Sequence, residues 1–419
     1  MDNIVVKGGN ILNGDVEISS AKNAVLPIIS ACILNGKKNI IYKAPMLEDV
    51  FVLSEALKFL DGKVKIDTLQ EKLIIDSSNL KSIRVPDELV RKMRASFLLM
   101  GPMLARFGEF KISLPGGCNI GTRPIDLHLK GLAALGAEIN VGHGYVEAKA
   151  EKLIGDNIYL DFPSVGATEN IMMAATLAEG ETIIGNCAEE PEIQDLANFL
   201  NKMGACITGA GTDTIVVKGV KMLNEVSYTP IPDRIEAGTF MIAAAITKSI
   251  INIKGVKEEH LKPVIAKLVE MGVNIQINKN EMIVDGRGNL KAVDIKTMPY
   301  PGFPTDMQSQ LMSLLSVVNG TSMVTETIFE NRFMHVAELA RMGANIKIDG
   351  RSAIVQGVSK LTGAHVRATD LRAGAAMILA GLVAEGTTTI SDVYHIDRGY
   401  VAIEDKLGKL GAHIDRKSI

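Results

Sequence analysis

Apolar and polar positions along this chain recur in one order six times. In each copy an amphipathic stretch with leucines three apart stops at a glycine, and a short alternating run follows: LKFLDGKVKI, LAALGAEI, LNKMGACI, LVEMGVNI, LARMGANI and LGKLGAHI. The glycines stand at 62, 136, 204, 272, 343 and 411, at spacings of 74, 68, 68, 71 and 68 residues. Helical spacing closed by glycine predicts a helix with its C-terminal stop, and the alternation predicts a strand. A second phrase keeps step with the first: IVVKGGNILNGDVEI, LIIDSSNLKSIRV, YVEAKAEKLIGDNI, IVVKGVKMLNEV, MIVDGRGNLKAVDI and AIVQGVSKLTGAHV. Its alternation about a glycine or polar pair predicts two strands around a turn, a hairpin.

A third component completes each repeat: KNAVLPIISACILNG, RASFLLMGPMLARFG, TENIMMAATLAEG, EAGTFMIAAAITKS, DMQSQLMSLLSVVNG and RAGAAMILAGLVAEG. These stretches are apolar nearly all round, so they predict helices buried on every side with strands and amphipathic helices packed about them. The expected fold class is therefore α/β, with six repeats of about 70 residues and the helices inside. The first hairpin phrase opens the chain without a preceding helix, and the last helix phrase closes it without a following hairpin. The two ends complete one another, which predicts one domain of residues 22–231 and a second of residues 1–21 plus 232–419, three repeats in each.

Composition narrows the chemistry. The 419 residues are 47% hydrophobic with no Trp, and the 39 glycines and 19 methionines suit close helix packing. A formal net charge of −3 argues against a nucleic-acid partner. No apolar run approaches the eighteen or so residues needed to span a bilayer, and no secretory leader opens the chain, so a cytoplasmic protein without a membrane partner is expected. The four cysteines lack CxxC spacing and do not suggest a disulfide framework or a zinc site. Cys32, Cys187 and Cys206 read as small core residues, whereas Cys118 lies in LPGGCNIGTRP, residues 114–124, a glycine-rich segment between two prolines with Arg123 close by. Such a loop suits a lid, and positive charge beside a thiol favours a reactive cysteine.

The openings of the buried helices carry a second signal. Lys22, Arg94, Arg234 and Arg372 stand at four of the six, where a cation faces the positive end of the helix dipole, and free backbone N–H groups there favour anions. The fifth opening presents Asp306 with Thr305 as the expected N-cap, and the third presents Ser164, Gly166 and Thr168 without a cation. GxxxxGK[ST], GxGxxG after a strand, HExxH and GxSxG are all absent, so nucleotide hydrolysis, hydride transfer, zinc proteolysis and serine esterase chemistry have no motif. The seven histidines are scattered and suggest no metal site.

The segments SSAKNAVLP, MRASFLLMGP, LPGGCNIGTRPIDLH, PSVGATEN, PGFPTDMQ, TETIFENRFMH, ATDLRAG and HIDRGY resemble, in this order and across essentially the whole chain, the UDP-N-acetylglucosamine 1-carboxyvinyltransferase family of enolpyruvyl transferases. That resemblance implies an inside-out α/β prism of two domains with the active site in the cleft between them. It implies transfer of the enolpyruvyl group of phosphoenolpyruvate to the 3′-hydroxyl of UDP-N-acetylglucosamine with release of phosphate, the first step of peptidoglycan synthesis, with no metal or organic cofactor and no obligate protein partner. Lys22, Arg123 and Arg398 would then hold the phosphate and carboxylate of phosphoenolpyruvate, with Arg94 and Arg372 adding positive field. Asn23, the stretch Arg123, Pro124, Ile125, Asp126 and Leu127, the stretch Ser164, Val165 and Gly166, and Asp306 and Ile328 would meet the nucleotide sugar. Arg332 and Asp370 complete the implied substrate-binding set. Cys118 would protonate the vinyl carbon and be the site at which fosfomycin alkylates members, and Asp306 would accept the sugar hydroxyl proton. Phe162 and Asn119 depart from the family pattern, since some members carry lysine at the first position and smaller residues are common at the second. The sister 5-enolpyruvylshikimate-3-phosphate synthases resemble the same repeats, but such a cysteine lid is not expected there. A six-repeat scaffold or clamp is a further alternative, disfavoured by the acidic net charge.

Overall fold

The computed structural model describes residues 2–81, 83–92, 94–114, 121 and 125–418, with the side chains of residues 91, 92 and 94 left aside. The described chain forms two compact units: residues 2–19 and 232–418 with Gly121 in one, residues 20–114 and 125–231 in the other. The buried helices of the repeats are α1 (Lys22–Ala31), α2 (Met100–Phe107), α3 (Val165–Ala175), α4 (Arg234–Ile246), α5 (Gln308–Leu315) and α6 (Leu371–Val383). Every residue of α6 from Arg372 to Leu382 is buried, and so is every residue of α4 from Ile235 onward, as the all-round apolar pattern requires. In the first unit α4, α5 and α6 pack on one another, and in the second α2 packs on α3.

Among the described residues six sheets surround these helices, and they share one plan. In the sheet containing Ile250–Lys254, that strand pairs parallel with Asn13–Glu17 on one side and antiparallel with Glu281–Asp285 on the other, which in turn pairs antiparallel with Asn274–Asn278. Thr321–Thr325 and Thr387–Ser391 take the same central place in their sheets, as do Lys38–Ile41 and Glu181–Gly185 in the second unit. The sheet of Glu109–Ser113 has three strands, and its fourth place is reduced to an isolated parallel bridge between Arg84 and Lys111. The N-terminal strand Asp2–Lys7 lies between Thr387–Ser391 and His413–Ser418, so the last sheet takes strands from both ends of the chain.

Three expectations are corrected. The two strands of the second phrase do not pair as a hairpin: Asp2–Lys7 and Asn13–Glu17 belong to different sheets. The hairpins instead join the strand after each amphipathic helix to the strand that begins the second phrase, as in Glu138–Gly142 with Tyr145–Lys149 and Asn345–Asp349 with Ser352–Gln356. The glycine inside the phrase explains the divergence. At Gly8, Gly219, Gly286 and Gly357 a Cβ would overlap the carbonyls of Ala384, Ala178, Ala244 and Val318, near the ends of the buried helices, so only glycine lets the chain leave its sheet and cross the helix end. The glycines at 136, 204, 272, 343 and 411 have φ between 94° and 106°, but in the first repeat Asp61 takes that left-handed place with φ 70°. Cys206 is exposed on Cys206–Thr208, because the alternation turns Ile207 inward and its neighbours outward, while Cys32 and Cys187 are buried. Among the described residues no helix is long and apolar enough to cross a membrane, and no group of acidic, histidine or cysteine side chains could hold a metal.

Candidate active site

In the first unit the turn Thr305–Met307 carries Asp306 into the opening of α5. Thr305 is not the N-cap; its hydroxyl donates instead to Glu326 Oε2 at 2.9 Å. Asp306 Oδ1 accepts from Arg332 Nη2 at 2.9 Å, and Oδ2 accepts from Arg372 Nε and Nη2 at 3.2 and 3.1 Å. Both arginine side chains are 1% exposed and that of Asp306 is 24% exposed, so one partly exposed carboxylate joins two desolvated cations. Arg372 lies over the Tyr400 ring at 5.4 Å and Arg332 over Phe329 at 5.5 Å. Burial works to lower the Arg372 pKa, but Asp306, then Tyr400 and Asp233, outweigh it and hold the guanidinium charged. Nη1 of each arginine is buried without a hydrogen-bond partner among the described residues.

Surrounding groups fix this cluster. Gln310 Nε2 donates to the Asp306 carbonyl at 2.8 Å and to Tyr400 Oη at 3.2 Å. Tyr400, whose hydroxyl also meets Thr239 at 3.0 Å, has its pKa raised by burial against the opposing pull of Arg372, so it remains a neutral phenol. Asp370 serves as N-cap of α6, accepting from the Arg372 and Ala373 N–H groups at 2.8 and 3.0 Å. His335 is fully buried, and its pKa is pushed down to about 4, by burial first and against the pull of Asp370, so the ring is neutral. Ile328 is half-buried on a turn whose N–H groups bond Glu326, and Arg398 is half-buried at the end of Tyr394–Asp397. Gly121 lies against Phe329 and Glu330, and a Cβ there would strike the Glu330 carboxylate. Arg234 begins α4 with its guanidinium 5.7 Å from the Tyr300 ring centroid.

The second unit brings a different set together. Lys22 Nζ forms an ion pair with Asp49 Oδ2 at 2.7 Å, with side chains 8% and 3% exposed, while Asn23 is exposed on the first turn of α1. Ser164 caps α3 by accepting from the Ala167 N–H at 3.4 Å, placing Val165 and Gly166 at its start. Gly166 faces His128, on the helix Asp126–Ala134 that follows Ile125 and includes Leu127. The buried Asn170 ties these openings: its amide donates to Phe97 O at 2.9 Å, meets His128 Nδ1 at 3.0 Å and accepts from Gly101 N–H at 2.6 Å. Glu169, 4% exposed, is raised well above the usual carboxylate range by burial, then by Glu192 and Glu190. Cys118, Arg123 and Pro124 lie outside the described residues, and only the backbone of Arg94 is described, opening the turn Arg94–Leu99. Asp49, Glu326, Gln310 and Tyr400 were not anticipated. Glu326 and Asp49 leave one sequence signal each, an acid one residue past the strand Thr321–Thr325 in phase with its inward side, and an acid in the first turn of Glu48–Phe59.

Buried central helices recur through the described residues, and at one helix opening Arg332 and Arg372 converge on Asp306. The chain belongs to the family described as EPSP synthase (3-phosphoshikimate 1-carboxyvinyltransferase), whose model matches residues 6–407. Within it, the chain is 68% identical over 416 residues to UDP-N-acetylglucosamine 1-carboxyvinyltransferase 2 of Clostridium tetani, covering 99% of this chain and 100% of that protein. It is 67% identical, with the same coverage, to UDP-N-acetylglucosamine 1-carboxyvinyltransferase 1 of Clostridium acetobutylicum. Among solved structures, the enolpyruvyl transferase NikO from Streptomyces tendae superposes over 100% of this chain and 99% of its own, with TM-score 0.91 and 26% identity. The EPSP synthase of Acinetobacter baumannii shares the fold at TM-score 0.75 and 20% identity, with full coverage of both chains.

Proposed function

We propose that the protein transfers the enolpyruvyl group of phosphoenolpyruvate to the 3′-hydroxyl of UDP-N-acetylglucosamine, releasing phosphate. The observation that carries the choice of acceptor is the 68% identity, over 99% of the chain, with a relative of that activity by name. The chemistry assigns the residues their parts. Proton transfer from the Cys118 thiol to the methylene carbon of phosphoenolpyruvate leaves a cationic centre at the carbon bearing phosphate and carboxylate. The sugar hydroxyl adds there and gives its proton to Asp306. The thiolate then removes a proton from the new methyl group as the C–O bond to phosphate breaks, which restores the double bond in the product, and the departing phosphate takes up the proton that Asp306 accepted.

Asp306 suits this part because the bonds from Arg332 and Arg372 fix the direction of its carboxylate while its side chain stays 24% exposed. Its advantage is placement: a fixed carboxylate at one hydroxyl contributes roughly 10²–10⁴ in rate. Lys22, Arg123 and Arg398 would neutralise the phosphate and carboxylate of the donor, with the Lys22 ammonium held in place by Asp49 at 2.7 Å. Arg94 adds field, Asp370 holds the start of α6, and Asn23, Ile125 to Leu127, Ser164 to Gly166 and Ile328 would contact the nucleotide sugar. The test is phosphate release from phosphoenolpyruvate with UDP-N-acetylglucosamine or shikimate 3-phosphate as acceptor. Release with the nucleotide sugar alone supports the reading; release with shikimate 3-phosphate alone overturns the acceptor, and release with neither overturns the activity.

A further inference from the structure

Strand alternation drives an acid into the interior of the first unit. Along Thr321–Thr325 and the residue after it, Ser322, Val324 and Glu326 face inward, and Glu326 is 1% exposed. A carboxylate is retained at such a place only when donors replace the lost water. Three donors do so here, and none lies on the strand itself. Glu326 Oε1 accepts the N–H groups of Ile328 and Phe329 at 2.9 and 3.1 Å, and Oε2 accepts the Thr305 hydroxyl at 2.9 Å.

The three contacts close a ring around the Asp306 carboxylate. Thr305 precedes Asp306 on the turn Thr305–Met307; Asp306 bonds Arg332; Arg332 lies over the Phe329 ring; and the Phe329 N–H returns to Glu326. Thr327 adds a brace to the same turn, donating through its N–H to Thr297 Oγ1 at 2.9 Å and through its hydroxyl to Thr297 O at 2.6 Å. Glu326 therefore holds two things at once: the turn that delivers Asp306, and the turn that presents Ile328. We propose that Glu326 is a positioning residue for the transfer, acting through Thr305 on Asp306 and through the 328–329 turn on the nucleotide sugar. The proposal rests on the function argued above.

Glu326→Ala removes both acceptor oxygens and with them all three bonds, whereas Glu326→Gln keeps an acceptor for the two N–H groups and a donor to which the Thr305 hydroxyl can adapt. Thr305→Val cuts only the link to Asp306. Misplacing a catalytic group by about 1 Å costs on the order of 10² in rate, so Glu326→Ala should lower kcat by roughly that factor. It should also raise KM for UDP-N-acetylglucosamine while leaving KM for phosphoenolpyruvate unchanged. Thr305→Val should lower kcat and spare both KM values, and Glu326→Gln should recover most of the rate. Amide hydrogen exchange on each variant, read by mass spectrometry, should show protection of 328 and 329 lost in Glu326→Ala and kept in Glu326→Gln. Wild-type turnover measured alongside separates the two ideas, because an inactive wild type counts against the function while the exchange data still test the anchor. A folded Glu326→Ala variant with wild-type kcat and both KM values, or with unchanged exchange at 328 and 329, overturns the proposal. Equal loss across both substrates, not recovered by Gln, also overturns it, since a general structural defect would give that pattern.

Discussion

Replacing Asp306 with Asn tests the charge balance of the cluster, since the substitution nearly preserves size and removes the anion between two guanidiniums that are each 1% exposed. The carboxylate accepts three N–H bonds, one from Arg332 and two from Arg372. An amide oxygen in the Oδ2 place can keep the two from Arg372, but uncharged, and the amide NH₂ then turns a donor toward the Arg332 guanidinium. Each lost charge-assisted bond is worth about 1.5–3 kcal/mol, and breaking a buried ion pair from one side costs about 3–5 kcal/mol. Asp233 and Tyr400 still act on Arg372, so the lower end, about 3 kcal/mol, is expected. In a unit of about 200 residues that corresponds to a drop of roughly 6–12 °C in Tm. Differential scanning calorimetry at low salt reads this directly, in parallel with kcat, which should fall by roughly 10²–10⁴. An Asn variant that melts within about 2 °C of wild type would refute the reasoning, because a shift that small corresponds to only about 1 kcal/mol.

Other perturbations have opposite or separable signs. Glu169 has a raised pKa in the fold, so the stability associated with its protonated form is fully present below its unfolded value and is lost as pH rises through the folded value. Glu169→Gln should therefore exceed wild type in Tm by a margin that widens as pH rises above the ordinary carboxylate range, and a constant margin would contradict the burial argument. Lys22→Met removes the ammonium that pairs with the buried Asp49 and should destabilise by about 3 kcal/mol in urea unfolding, whereas Lys22→Met with Asp49→Leu should regain stability and remain inactive. In a Cys118→Ala chain one thiol, the exposed Cys206, should react rapidly with an aromatic disulfide. Burial raises the Cys32 thiol above its ordinary range and pushes Cys187 up to about 11, so a second fast thiol would be inconsistent with the core.

The repeat was legible because each copy carries its own physical punctuation. Gly136, Gly204, Gly272, Gly343 and Gly411 are needed where the helix stops in the left-handed region, and that need shows in the sequence as a regular spacing. The buried helices were legible from the absence of a polar face. Strand partners were not, since alternation shows which side of a strand faces inward but not which strand lies beside it. Only the overlap of a Cβ at Gly8 or Gly286 with a helix-end carbonyl reveals why the second phrase divides between sheets. The candidate site was legible residue by residue at the helix openings, yet its pairings were hidden. Asp306 meets Arg332 from 26 positions away and Arg372 from 66, and Lys22 meets Asp49 through a separate helix. Glu326 escaped notice because a lone acid at a strand end ordinarily reads as a solvated charge, and only its three donors give it a purpose.

The central claim is an addition of the sugar hydroxyl to protonated phosphoenolpyruvate followed by elimination of phosphate. Mass spectrometry of the nucleotide sugar after reaction with phosphoenolpyruvate in D₂O tests it most directly. The account predicts UDP-N-acetylglucosamine enlarged by one enolpyruvyl group with deuterium in its vinyl carbon, since the methyl group of the adduct gains a solvent-derived proton and loses one of three. An enolpyruvyl product without deuterium, or no product from this acceptor, would contradict it.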